Sequence, residues 1–95
     1  MLVLVVHWEA NPGSEAEVVE TFSKLAAESR KEPGCRQYVA HQHRENARQF
    51  LVYEVYDNEA ALQAHRDSAH FKQYAVGDLP RLGNRLQADL YNPLN

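Results

Sequence analysis

Leu2 to Trp8, LVLVVHW, is apolar almost without interruption, the pattern of a strand covered on both faces at the centre of a sheet. The turn NPGSEAE follows, and Ser14 with Glu17 three residues on stands at capping-box spacing, so a helix starts there. Val18, Phe22, Leu25 and Ala26 recur along one helical face, while Glu20, Lys24, Glu28 and Lys31 occupy the other. Glu32-Pro33-Gly34 closes that helix, because proline cannot continue its backbone bonding. Cys35 to His43 mixes in many polar residues and reads as an edge strand. Beyond the loop RENARQ, Phe50 to Tyr56 is aromatic and β-branched and reads as a second central strand. Asn58 is placed to cap a helix that turns Ala61, Leu62 and His65 inward and Glu59, Gln63 and Arg66 outward. Ser68 opens a short further helix through Tyr74, ending near Gly77, and after Pro80 and Gly83 the alternation of Leu86, Ala88 and Leu90 predicts a last strand, Leu86 to Tyr91.

The order β-α-β-β-α-(α)-β, with the first and third strands most apolar, predicts an α+β, ferredoxin-like fold. This is the split βαβ arrangement: a four-stranded antiparallel sheet with those two strands in the middle and the helices on one face. Residues 1–95 form one domain on this reading. At this length the core is thin. The strand face carrying Leu51, Tyr53 and Val55 has no helix of its own, so a homodimer is expected to cover it.

Composition narrows the function. A net charge of −3 with no basic run argues against a nucleic-acid partner. No segment approaches the length of a membrane span. Leu2 to Val6 lacks a basic leader and a small-residue cleavage site, so it reads as a strand, and the expected location is the cytoplasm. Cys35 is the one cysteine, which leaves no intrachain disulfide and no multi-thiolate zinc site. Following Pro33-Gly34, it reads as a small buried thiol. Glycine-rich phosphate loops and nucleophile-elbow motifs are absent.

The candidate chemistry lies in YEVYDNEAALQAHRDSAHF, Tyr53 to Phe71. His65 shares the stripe of Ala61 and Leu62 and points toward the core. It is there either as a scaffold histidine bonded to a carbonyl or as part of a site. His70 sits in the first turn after Ser68, where the positive helix end disfavours protonation, so a neutral imidazole could accept a proton. Alternation puts Phe50, Val52, Glu54 and Tyr56 on one strand face. If that face lies under the helices, Glu54 and Tyr56 meet both histidines across an apolar cleft; otherwise Glu54 is a charge held by Arg66. His7 and Trp8 on the adjacent strand point to opposite faces, so one of them can line the cleft, though Trp8 also suits plain core filling. Phe71 and Tyr74 complete the candidate substrate contacts. His41 and His43 share a strand face as a metal pair would, but no carboxylate completes the set. No metal site and no cofactor are expected.

The opening strand ending in NPG, the helix closing in EPGCRQY, and Y-E-x-[WY] followed by A-L-x-x-H-x-x-S-x-H-F together resemble the antibiotic biosynthesis monooxygenase family, over nearly the whole chain. The resemblance implies a small dimeric protein whose two sheets pack face to face, a dimeric α/β barrel. It also implies oxidation of a phenolic or quinol ring by molecular oxygen without metal or flavin. A base, a dry pocket and donors that hold the anion suffice for such chemistry, and His65, His70, Tyr56 and Glu54 are residues of those types. Haem-degrading relatives recur with an asparagine, a tryptophan and a histidine, where this chain has His7, Tyr56 and Ala75, so it departs from that branch. A third branch isomerises a phosphorylated dione, and there a neutral histidine or a glutamate would carry the proton. The substrate is thus expected to be a small aromatic or carbonyl compound, with O2 as partner in the oxidative reading; a non-catalytic small-molecule binder is the remaining alternative.

Overall fold

The computed structural model describes residues Met1–Asn95. In chain order the elements are β1 (Leu2–Ala10), α1 (Glu15–Ser29), β2 (Cys35–Gln42), β3 (Gln49–Tyr56), α2 (Glu59–Asp67), a π-helical stretch (Phe71–Asp78), α3 (Leu79–Leu82) and β4 (Gly83–Tyr91). All neighbouring strands are antiparallel, in the order β2-β3-β1-β4. The two most apolar strands are therefore central and the polar Cys35 strand is an edge, as their patterns predict.

Alternation along the central strands builds the core. Leu4, Val6 and Trp8 of β1 and Phe50, Val52 and Tyr56 of β3 turn to the helices and bury against Val18, Phe22 and Leu25 of α1, Leu62 of α2, and Leu79 and Leu82 of α3. On the reverse of the sheet Val3 pairs with Val55, Val5 with Tyr53 and His7 with Leu51. The helices of this chain lie on the other side.

Several boundaries differ from the pattern. Ser14 is the N-cap of α1 without a side-chain bond, and the Glu15 carboxylate instead takes the Gly13 N–H at 2.7 Å, so the capping box does not close. Asn58 does cap α2, its Oδ1 accepting from the Ala61 N–H at 2.9 Å. The helix after Ser68 does not end near Gly77. It widens to i→i−5 bonding, with the Leu79 N–H given to the Tyr74 carbonyl, and runs on to Leu82. Pro80 has no N–H to give, and a change of helical pitch meets that constraint here in place of a break.

β4 accordingly begins at Gly83, earlier than Leu86. Gly83 lies so close to the Trp8 ring that a Cβ would stand 2.5 Å from it, and this permits pairing with Ala10. Between His7 and Trp8 the β1–β4 register shifts by a bulge. The bulge takes Leu86 out of the alternation, while Leu90 keeps its register opposite Leu4; both leucines remain exposed. Cys35 is half-buried and not fully buried; burial is the main cause that pushes its thiol up to about 11.

Candidate functional site

The turn that ends α1 is the first part of the site. Glu32 donates its N–H to the Ser29 carbonyl and accepts from the Cys35 N–H, so Glu32-Pro33-Gly34 folds into a fixed corner. Gly34 then meets the start of α2: a Cβ on it would stand 2.5 Å from the Ala61 Cβ, and its carbonyl accepts from the Asp57 N–H at 2.9 Å. Only a residue without a side chain allows this approach, and the approach sets Glu32 over the inner face of α2. There Glu32 Oε2 receives two imidazoles, His65 Nδ1 at 2.8 Å and His70 Nε2 at 2.5 Å. Ser68 fixes the spacing between them, its hydroxyl donating to the His65 carbonyl and accepting from the Phe71 N–H.

From β3, Glu54 and Tyr56 rise under the helices. The Tyr56 hydroxyl donates to Glu54 Oε1 at 2.5 Å, and the same oxygen lies 3.8 Å from His65 Nε2. Glu54 is 4% exposed and His65 2%, and burial dominates both. It pushes the Glu54 carboxyl up to about 7 against the opposing Tyr56 bond. It also lowers His65 against the bond and charge of Glu32. The Tyr56 and Tyr38 phenols are pushed above their ordinary range, chiefly by burial and then by the Glu54 charge. At neutral pH His65 is thus a neutral imidazole. A hydrogen bond to Glu32 assigns its proton to Nδ1 and leaves the Nε2 lone pair free.

A cavity of about 380 Å³ opens beside this pair, between the helices and the β1–β4 side of the sheet. Trp8, Tyr38, Glu54, His65 and Phe71 line it with a mainly aliphatic wall, and Arg66, Asn84 and Arg85 stand among its exposed residues. Four sequence candidates, His65, Glu54, Trp8 and Phe71, therefore meet at one cavity. Tyr56 stands behind Glu54 and His70 behind Glu32, both bonded to the site without lining the cavity. Tyr74 packs against the core and does not line this cavity. Of His7 and Trp8 it is Trp8 that lines this cavity, while His7 projects on the reverse of the sheet, into a second cavity with His41, His43 and Leu86. His65 is not bonded to a backbone carbonyl through its ring, and Glu54 is held by Tyr56, with Arg66 acting only through its charge.

The residues that sequence reasoning missed are Glu32 and Tyr38. Glu32 could be found only through the docking of the EPG corner, and Tyr38 through the β2–β3 register, which places it opposite Glu54. Glu32, His65 and His70 also bring one ligand atom each within 4.8 Å of one another. This two-nitrogen, one-oxygen set could hold a transition metal, and its members already hydrogen-bond one another. His41 and His43 make no such set. His41 Nδ1 lies 3.1 Å from the Leu51 carbonyl, while His43, beyond the end of β2, accepts the Glu45 and Asn46 N–H groups.

Residues 1–76 match the family model described as antibiotic biosynthesis monooxygenase. The crystal structure of PA3566 from Pseudomonas aeruginosa is 31% identical with a TM-score of 0.91, covering 99% of this chain and 94% of that one. A mutant of SnoaB, a cofactor-independent oxygenase from Streptomyces nogalater, shares the fold at 18% identity and a TM-score of 0.86, over 99% of this chain and 93% of that one. Among curated proteins, the uncharacterized protein sll1783 of Synechocystis is 27% identical over 90 residues, 95% of this chain. The chain spans 61% of the length of that relative.

Proposed function

This chain belongs to the antibiotic biosynthesis monooxygenase family, and from that premise we propose that it oxidises a small phenolic or quinol-type ring with molecular oxygen, without a metal or organic cofactor. The observation that carries the reading is the buried neutral His65, oriented by Glu32 through Nδ1 and presenting Nε2 beside a largely apolar cavity. The same fold serves a cofactor-independent oxygenase in SnoaB. The cavity, about 380 Å³, lies at the small end of the roughly 300–1,000 Å³ usual for ligand sites, which suits a compact ring system.

In this mechanism His65 Nε2 takes the phenol proton, and the Glu32 carboxylate stabilises the imidazolium that results. The phenolate passes one electron to O2. Superoxide and the ring radical then join as a C–O bond, and the proton on His65 completes a hydroperoxide. His65 Nε2, neutral again, takes the ring C–H proton as the O–O bond cleaves to give the carbonyl; the departing oxygen takes a proton from Glu54 and leaves as water, and the proton on His65 restores Glu54. One phenol O–H, one ring C–H and one O2 thus become two C=O groups and one H2O. Glu54, with a carboxyl near 7, is partly protonated at neutral pH and can protonate the departing oxygen. Tyr38, buried and uncharged, makes no hydrogen bond within the chain through its hydroxyl and is placed to steady the oxyanion. His70 shares Glu32 with His65 and so holds the base in position, and Trp8 and Phe71 add aromatic faces to the mainly aliphatic wall. The catalytic assembly we propose is a homodimer, in which a second copy covers the open sheet face.

Oxygen uptake with a panel of hydroquinones tests the reading. A positioned base contributes ~10²–10⁴-fold in rate, so on an accepted ring His65→Ala is expected to lower kcat by ~10² or more, with the far-UV spectrum unchanged. Near-full turnover by that variant would remove His65 from the mechanism. A second reading, isomerisation of a small phosphorylated dicarbonyl, is favoured by Arg66 and Arg85 at the cavity; it consumes no oxygen.

A further inference from the structure

Most arginines of this chain are engaged by the protein itself. Arg30 donates to the Tyr38 carbonyl, Arg36 to Asp57, and Arg48 to the Ala10 carbonyl and Glu9. Arg81 pairs with Glu17 and Asp78. Arg66 on α2 and Arg85 on β4 make no hydrogen bond or ion pair through their side chains, yet both line the cavity that His65 and Glu54 line. They come from elements on two sides of that cavity and are its exposed, charged residues, with the neighbouring Asn84 adding an amide. In a chain of net charge −3, two arginines without a partner in the chain at the lining of one largely apolar cavity form a local positive field. The charge of Arg66 already reaches the interior, where it favours the ionised Glu54 and the neutral His65.

We propose that Arg66 and Arg85 form an oxyanion subsite at the rim of the cavity, so that the ring it accepts carries a carboxylate or phosphate substituent. A planar guanidinium forms paired, charge-assisted hydrogen bonds to either group. The substituent would be held at the exposed rim while the reacting hydroxyl reaches the buried His65. Arg66 and Arg85 thereby select the substrate, and His65 and Glu54 act on it. The aromatic character of the ligand rests on the oxidative reading; the anionic substituent rests on the arginines alone.

The experiment is calorimetric titration of the intact protein under nitrogen, where no oxidation occurs, with hydroquinone, 2,5-dihydroxybenzoate and 4-hydroxyphenyl phosphate. At low salt at least one anionic ring is expected to bind roughly 10-fold or more tightly than hydroquinone, the scale of a charge-assisted bond. Whichever of the two binds tighter identifies the substituent. The preference is expected to shrink with added salt and in Arg66→Ala or Arg85→Ala, and to vanish when both are replaced. Both side chains are exposed, so these variants are expected to fold. Arg44→Ala removes an equally unpaired arginine in the β2–β3 loop, away from the cavity, and is expected to change nothing. If neither anionic ring outbinds hydroquinone, including the case in which no ring binds, or if the preference survives the double substitution, the subsite is wrong. A preference without oxygen uptake in air would leave the subsite standing and sink the oxidative reading, and uptake without preference would do the reverse.

Discussion

At the scale of single residues, the site is a set of groups whose ordinary charges are altered by burial. The inward turn of His65 was legible from its spacing to Ala61 and Leu62, and alternation put Glu54 and Tyr56 on one strand face while leaving open which side that face would take. Glu32 was not legible, because its contact with His65 spans 33 positions and depends on how a turn docks. Nor did the sequence tell which partner would hold Glu54; it is Tyr56, two residues along the same strand face. The buried carboxyl has a consequence for stability. Glu54 titrates near 7 in the folded chain against an ordinary 4.5, so between those values the folded state holds more protons than the unfolded one. Stability from this group is therefore full below about 4.5, falls as pH rises through about 7, and stays low above it. His65, lowered from 6.5, acts with the opposite sign and costs stability as pH falls below that value. Glu54→Gln keeps a hydrogen-bonding group for Tyr56 and removes the titration. Relative to the parent chain, the variant is expected to gain on the order of 3 kcal/mol between pH 4.5 and pH 8. Urea unfolding at both pH values measures this, and an equal difference at the two would show that Glu54 is not the titrating group.

At the scale of elements, the central strands and the first two helices were legible because their patterns are long and one-sided. The later elements were not, for local reasons. Pro80 marks a break in the pattern, yet the helix absorbs it by widening its pitch. Gly83 reads as a loop residue, yet it is the position at which β4 can lie against Trp8. The bulge opposite His7 then shifts the alternation of β4, which moves Leu86 away from the core. The reverse face of the sheet was foreseen in kind. It carries no helix of this chain; Val3 and Val55 are buried there, while Val5, Leu51 and Tyr53 are left partly exposed or exposed, apolar surface of the sort that a partner covers. The proposed cover is a second copy, with the histidines of the second cavity, His7, His41 and His43, at or near the joint. Sedimentation equilibrium at micromolar concentration is expected to give a dimer mass, and Tyr53→Glu or Val5→Glu to shift it toward the monomer. A folded parent chain that stays monomeric at that concentration would contradict the assembly.

At the scale of the whole molecule, fold and chemistry meet because the split βαβ order leaves room between the helices and the β1–β4 side of the sheet. The α2 face borders that space with His65, which Glu32 of the α1 corner holds from behind, and β4 borders it elsewhere with Arg85. The topology was readable from the order and apolarity of the strands; the cavity was not, since it arises from where side chains fail to meet. No helix is long and apolar enough to cross a membrane. The central claim is that this space is used to put one atom of O2 on a ring. Turnover of an accepted quinol under 18O2, with mass analysis of the product, tests it most directly. The account predicts a product carrying one labelled oxygen, with the second label in water, and loss of that incorporation in His65→Ala. A product formed without label, or an isomer formed at the same rate under nitrogen, would contradict it.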